Sequence, residues 1–513
     1  MISKGLMGCF CVHADRKCFP AYIPGSYSKS KYMCKGGGDM KKRGKRIAAV
    51  FLAAAMTMLP VGTVYGEEIQ NGAEPATDDP AARREQEREA GYKIPADTNS
   101  LEGWPEGPAV YADSAVVMDM NTGAVLYEKQ ADEKHYPASI TKVLSVLVAL
   151  ENSELTDEVT FSEDSVAFME PGDASIGMTP GEVLSMEDAL YAMLLASANE
   201  VSYAVAENVG QLMGGDYSTF IEKMNEKSQE LGCTNSHWMN ANGLHDEQHY
   251  TSARDMAKIA SAVYQYDEFR KITQTLSYTI GPTNLVKENR VFQQNHKMLW
   301  PENENYYEYC TGGKTGYTDQ ARTTLVTFAD NGETQLVAVV LYDFGNDAYV
   351  DTRAMFDYAF DNFDKVMLTD EKTPEEIESY QDMESYVLLP SGADFSDLDK
   401  EIEITDSQSR TGTVTYTYQG QNVGSADVVV TREYVEAENE ESVSVTEKET
   451  ETIRIPLIVR ILIGAAAALV VVFIILFSVL KYRQIKRRKA RRRRRQQMRK
   501  RQEMRKRRSD RSM

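Results

Sequence analysis

Cysteine is scarce in this chain, and most of it lies where it can do little. Four of the six (Cys9, Cys11, Cys18 and Cys34) sit within a leader of some forty residues at the start. A metal site built on that spacing would require the leader to persist, and the residues behind it point to its removal. Only Cys233 and Cys310 remain in the body, and the sequence leaves open whether they pair. Positive charge is missing from the middle of the chain. Residues 481–513 hold 19 Lys and Arg and residues 1–46 hold another 11, which leaves 27 between them against 73 Asp and Glu. The body is therefore strongly acidic, and no nucleic-acid partner is expected for it.

The two ends have separate explanations. Met40 to Arg46 is basic, Ile47 to Leu59 is apolar, and Val64-Tyr65-Gly66 ends in a small residue, the three parts of a secretory signal with cleavage expected after Gly66. Residues 1–39 fit poorly before that signal, and Met40 is an alternative start. Ile461 to Leu480 is twenty residues without a charge. That is about 30 Å as a helix, enough to span a bilayer. Because the basic tail from Lys481 follows directly, it is expected in the cytoplasm and the acidic domains outside. Anionic lipid headgroups of the cytoplasmic membrane are its expected partner.

Between the ends, composition divides the chain further. Residues 1–66 are leader and signal; 67–108, acidic with scattered prolines, read as a disordered linker. A globular domain is expected over 109–363, a β-rich domain over 364–435, an acidic tether over 436–456, the membrane helix within 457–480 and the basic tail over 481–513. In the globular part, Ala115 to Asp119 and Ala124 to Lys129 flank an Asn-Thr-Gly turn as a hairpin. Apolar periodicity predicts helices over Met186 to Val209, with a break at Ser197-Ala198-Asn199, over Tyr217 to Leu231 and over Thr251 to Tyr264. Thr323 to Phe328 and Gln335 to Tyr342 form a second hairpin about Asn331-Gly332, and Asp347 to Phe363 closes the domain as a helix. Strands at both ends with helices between them predict an α+β fold whose first and last strands pair in one antiparallel sheet.

The chemistry-bearing stretch is Tyr136-Pro137-Ala138-Ser139-Ile140-Thr141-Lys142. A helix starting at Ser139 sets Lys142 one turn on, on the same face. The residues that follow, Val143 to Leu150, are apolar on nearly every side, so Lys142 begins a buried helix. Desolvation lowers a lysine pKa toward the range useful for accepting a proton, and a serine needs such a neighbour to act as a nucleophile. Ser and Lys are common, so the pair alone decides little. Two later stretches add weight: Ser197-Ala198-Asn199 between apolar helical segments, and Lys314-Thr315-Gly316-Tyr317 beside a strand.

In this order Ser-x-x-Lys, Ser-x-Asn and Lys-Thr-Gly form the signature of penicillin-recognising serine enzymes. From about Ala109 to Phe363 the chain resembles the D-alanyl-D-alanine carboxypeptidases among the low-molecular-mass penicillin-binding proteins. The likeness includes Ser197-Ala198-Asn199-Glu200, Asn242-Gly243-Leu244, His249 to Ala253 with Asp255, Asn295-His296-Lys297 and Gly313 to Thr318. The β-rich module resembles that family's C-terminal domain more weakly. The resemblance implies a DD-peptidase-like domain that acts on peptidoglycan pentapeptide and is acylated by β-lactam antibiotics. It implies Ser139 as nucleophile, Lys142 as its base and Ser197 as proton relay. Asn199, Lys314, Thr315, Gly316 and Tyr317 would bind substrate, with the N–H groups of Ser139 and Tyr317 forming the oxyanion hole and no metal or cofactor. His249 and Asp255 would be structural.

One departure stands out: the family has Ala-Gly where this chain has Ala321-Arg322. A β-lactamase would need a further glutamate to activate water, and no candidate is evident. A DD-endopeptidase and a catalytically weak wall-binding scaffold are the remaining alternatives.

Overall fold

A computed structural model describes residues 79–437. The expected signal peptide, the tether beyond residue 437, the membrane helix at 457–480 and the basic tail lie outside those residues. Among the described residues no helix is long and apolar enough to cross a membrane.

Five antiparallel strands form the central sheet, in the spatial order Val125–Lys129, Ser114–Asp119, Gln335–Asp343, Arg322–Asp330 and Cys310–Thr318. The first long strand pairs with the last, Val116 opposite Val339 and Met118 opposite Val337, as the expected α+β layering requires. These strands are apolar on both faces because both faces are covered. Val116, Met118, Val337 and Val339 join one core with the helices Thr141–Asn152, Met186–Leu194, Asn199–Leu212 and Ala253–Tyr264. Their neighbours Ala115, Val117, Ala338 and Val340 join a second core with the helix Asp347–Asn362. The two-residue pleat thus divides one run of valines between two layers. Cys310–Thr318 is left at the sheet edge.

Two expectations are corrected. The described part of the linker is folded: Pro80–Tyr92 is a helix, with Asp79 capping it and Pro80 in the first turn. It was illegible by periodicity because charges rather than an apolar stripe hold it. Arg88 donates to Asp347 Oδ2 at 2.5 Å and its guanidinium lies 3.8 Å above the Tyr111 ring. At the helix end, buried Lys129 donates to the carbonyls of Gly91, Val110 and Ala112 at 2.7, 2.9 and 2.6 Å. The helix expected to begin at Ser139 starts at Thr141, after a 3₁₀ turn over Ala138–Ile140. The question left open about the cysteines is answered as well, since Cys233 and Cys310 are both free thiols.

The β-rich region has a four-stranded sheet, in the order Ile377–Tyr380, Gln421–Val430, Thr411–Tyr418 and Asp399–Asp406, and a two-stranded ribbon of Phe363–Met367 with Tyr386–Pro390. It is fixed to the hairpin turn after Asp119. Ser425 N–H donates to Thr122 O at 2.9 Å, and the Tyr386 hydroxyl reaches Asp119 Oδ2 at 3.0 Å. Burial pushes the Asp119 carboxyl up, while hydrogen bonds from Thr122 and Tyr386 oppose it. Removing the donor leaves a buried carboxyl short of a partner, which costs about 1–3 kcal/mol. Tyr386→Phe is expected to lower unfolding free energy by that amount in a urea titration monitored by circular dichroism, with the folded spectrum unchanged.

Candidate active site

The 3₁₀ turn that carries Ser139 runs straight into the helix that carries Lys142, and residues three apart share a face. Lys142 Nζ lies 3.0 Å from Ser139 Oγ, 2.8 Å from Asn199 Oδ1 and 2.6 Å from Asn242 O. The lysine is wholly buried. Its pKa is held well below the usual lysine range by desolvation first and by the Lys314 charge second, with Glu200 and Asp173 opposing. Two of its neighbours, an amide oxygen and a backbone carbonyl, can only accept. A neutral amine spends its two protons on them, and its lone pair is left toward the Ser139 hydroxyl.

The opposite wall carries Ser197 and Lys314. The chain turns between the Met186–Leu194 and Asn199–Leu212 helices with Ser197 at φ +60°, a left-handed conformation that non-glycine residues hold only when their surroundings force it. That turn brings Ser197 Oγ to 3.0 Å from Lys314 Nζ, which also donates to Thr315 O at 2.7 Å. Burial lowers the Lys314 pKa to about 7. Asn199 opens its helix with its N–H on Ala174 O at 2.8 Å. The neighbouring Glu200 accepts from Ser175 Oγ, Ile176 N and Gly177 N at 2.6, 2.8 and 3.1 Å, which ties down the loop facing Ser197.

Lys314, Thr315, Gly316 and Tyr317 lie consecutively on the edge strand Cys310–Thr318. Gly316 is where the nucleophile turn meets the strand. A Cβ there would fall 2.9 Å from Ser139 N and 2.3 Å from Thr324 Oγ1, which itself donates to Pro137 O at 2.8 Å. Gly243 is excluded from carrying a side chain by the same turn, its Cβ position lying 1.9 Å from Ala138 O. Tyr317 points outward and is exposed, so only its backbone faces the site.

All eight residues singled out from sequence therefore converge. Three contributors were missed as site members. Asn242 acts through its carbonyl, which no side-chain pattern reveals. Gly243 lets that loop approach, and Thr324 pins Pro137. The Asn240 and Asn242 side chains, which accept from Gly243 N at 2.7 Å and Leu244 N at 3.0 Å, were the only local hint of a shaped turn.

The histidines support rather than react. Met239 N–H donates to His249 Nδ1 at 2.9 Å, so the ring proton is on Nε2, 2.8 Å from Thr141 Oγ1, and Thr141 in turn donates to Ala138 O at 2.8 Å. This relay holds Ala138 at φ +50° immediately before Ser139. Asp255 accepts from Asn235 N and Ser236 Oγ at 2.7 and 2.8 Å, fastening a turn to its helix. His296 is buried against Gly313, with Nε2 at 2.9 Å from Thr327 Oγ1.

Two outcomes follow from this packing. Gly316→Ala must displace the Ser139 turn, and a shift approaching 1 Å costs on the order of 100-fold in rate. A penicillin-acylation assay is expected to register that loss while circular dichroism remains that of the parent. Desolvation lowers both His249 and His296 to about 3. An unfolded histidine titrates near 6.5, so the unfolded chain binds more protons between those values and stability falls as pH drops below about 6.5. Each histidine adds up to about 1.4 kcal/mol per pH unit in that window. Urea midpoints measured from pH 7 to 4 are expected to decline, and less steeply in His296→Asn.

Residues 102–345 match the model of the D-alanyl-D-alanine carboxypeptidase family. The chain is 30% identical over 319 residues to the D-alanyl-D-alanine carboxypeptidase DacF of Bacillus subtilis, covering 58% of this chain and 77% of that one. It is also 30% identical over 266 residues to DacB2 of Mycobacterium tuberculosis, covering 50% and 84%. Among solved structures, the Streptomyces K15 DD-transpeptidase superposes with a TM-score of 0.46 at 25% identity, over 50% of this chain and 99% of that one. With its signature residues gathered in one place and two carboxypeptidases, each 30% identical to it, matched over 77% and 84% of their length, the chain belongs to the D-alanyl-D-alanine carboxypeptidase family.

Proposed function

We propose that the protein is a serine-type D-Ala-D-Ala carboxypeptidase that removes the terminal D-alanine from peptidoglycan stem peptides through an acyl-enzyme on Ser139. The observation that carries this reading is the proton count at Lys142: two obligate acceptors at 2.8 and 2.6 Å leave its lone pair for Ser139 Oγ at 3.0 Å. Ser139 Oγ attacks the carbonyl carbon of the penultimate D-alanine while its proton passes to Lys142. The N–H groups of Ser139 and Tyr317 receive the oxyanion. When the C–N bond breaks, the departing amine takes a proton relayed through Ser197, and the terminal D-alanine leaves. Water then attacks the ester, Oγ recovers its proton, and the shortened peptide departs with a carboxylate.

Lys314 and Thr315 hold the substrate's terminal carboxylate, and Asn199 binds its amide. The Lys314 charge has a second use, since it disfavours a proton on Lys142. Penicillin would acylate Ser139 by the same attack, with opening of the lactam ring. The apolar run at 461–480 and its basic tail support a single-pass membrane protein with this domain outside the cell and the tail against anionic lipid.

The test uses the full-length protein in detergent with a peptide ending in Lys-D-Ala-D-Ala. Free D-alanine and a covalent penicillin adduct are expected from the parent and from neither Ser139→Ala nor Lys142→Ala. Labelling without release would move the reading to an endopeptidase or penicillin sensor, and neither signal from the parent would sink it. The pH profile supplies a further check. Activity needs Lys142 neutral and Lys314 charged, so kcat/KM should rise as Lys142 loses its proton. It should fall above about 7 as Lys314 loses its own. Lys314→Arg is expected to move that alkaline fall upward, because a guanidinium keeps its proton.

A further inference from the structure

The helix Pro80–Tyr92 precedes the residues matched by the family, yet it grips the far end of the catalytic strand. Glu87 Oε2 accepts from Arg322 Nε at 3.2 Å and Nη2 at 2.8 Å, and Arg322 Nη1 donates to Asp319 O at 3.0 Å. One guanidinium thus joins the helix to the turn that follows Tyr317. A second, more exposed contact comes from Arg84, 3.6 Å from Asp319 Oδ1, the same oxygen that accepts from the Tyr317 hydroxyl at 3.0 Å. Ala321 N–H donates to Thr318 Oγ1 at 2.9 Å and closes the turn.

Arg322 stands where the resemblance leads one to expect the usual glycine, and a reason for glycine is visible in its backbone. Its φ is +57°, the left-handed region in which a side chain costs free energy unless something repays it. A lysine could not do so equally well, since the planar fork of arginine is what reaches a carboxylate and a carbonyl at once. The pair is sheltered, with Arg322 and Glu87 side chains 15% and 27% exposed, so it is less screened than a surface ion pair. The helix is also held next to Glu87, through Arg88 to Asp347, and at its C-terminal end, through Lys129 to Gly91 O. Between helix and turn runs a cleft of about 680 Å³ lined by Arg84, Arg88, Tyr317, Arg322 and Phe344.

We propose that this helix is a clamp on the catalytic strand, with Glu87 a positioning residue that acts through Arg322 to fix the Thr318–Arg322 turn and so the aim of the Tyr317 N–H. The proposal rests on the carboxypeptidase reading for its chemistry but not for its mechanics. Tyr317 is one residue from Gly316, which touches the Ser139 turn, so a strand end free to move would misplace an oxyanion donor without altering Lys314 or Thr315. The clamp therefore belongs to the transition state rather than to ground-state binding.

Three variants of the full-length protein test it: Glu87→Ala, Arg322→Gly, and the exchanged pair Glu87→Arg with Arg322→Glu. Glycine accepts the +57° backbone, so the second variant removes the fork and keeps the turn. Both single variants are expected to lose kcat about tenfold with KM within about twofold, since a loosened donor costs part of what a full 1 Å misplacement does. The exchanged pair restores the ion pair but not the donation to Asp319 O, and should recover part of the kcat lost in Glu87→Ala. Hydrogen exchange at residues 317–322 should accelerate in both single variants, and trypsin should cut after Arg84 or Arg88 sooner in Glu87→Ala. A kcat within twofold of the parent in either single variant overturns the clamp, as does a change in KM alone or an exchanged pair no faster than Glu87→Ala. If the parent releases no D-alanine, the carboxypeptidase reading fails by itself. The clamp is then decided by hydrogen exchange, and unchanged exchange at 317–322 overturns it.

Discussion

The interaction on which the rest of the structure depends is the burial of one amine. Lys142 begins a helix that is apolar on every side, and its Nζ sits among three oxygens with no access to water. An isolated ammonium there would be too costly to keep, so the group yields its proton instead. Each neighbouring element is shaped to serve that result. The Asn240–Leu244 loop turns a carbonyl inward, the Asn199 helix begins with an amide oxygen, and Lys314 adds a charge of the same sign from across the cleft. On the proposed function, reactivity at Ser139 would in this sense be a by-product of packing: the apolar core removes water, and what remains is an amine able to act as a base.

Two of the seven non-glycine residues with positive φ among the described residues lie around the same point. They are Ala138, immediately before the nucleophile, and Ser197, at the opposite wall. Each costs of order 1–3 kcal/mol and survives only because other contacts over-determine it. For Ala138 those contacts can be followed outward through Thr141 and His249 to the backbone of Met239. The histidine that invites a catalytic role therefore acts as a spacer, and its depressed pKa reflects its burial rather than proton transfer.

Much of this was legible in the chain. The hairpin at Asn121-Thr122-Gly123, the helix break at Ser197 and the pairing of the first and last strands all follow from local chemistry that tertiary structure did not override. Ser139, Lys142, Ser197, Asn199 and Lys314 come together as the order of their motifs implied, and they were readable because polar side chains placed in or beside apolar segments stand out in a sequence. What escaped has a common physical basis. The Asn242 carbonyl is an atom every residue possesses, so its role lies in the loop's path and not in its sequence. Pro80–Tyr92 was assigned to a linker because Arg88 and Glu87 dock it by charge, and helices held in that way leave no apolar stripe to count. Arg322 was visible as a departure, while its backbone angle and its partner were not.

The strand Cys310–Thr318 stands at the margin of the sheet, its outer row of amides and carbonyls unclaimed by a sixth strand among the described residues. Such an edge is ordinarily a hazard, because any extended chain can pair with it. On the proposed function, that hazard becomes the means of recognition. A stem peptide laid along Lys314 to Tyr317 would complete the sheet for the duration of one turnover through main-chain hydrogen bonds. Contacts of that kind read the direction and extension of a peptide more than the identity of its side chains. Selectivity would then be concentrated at the two ends of the visiting strand, where a terminal carboxylate would meet one buried lysine and everything beyond is left to the rim.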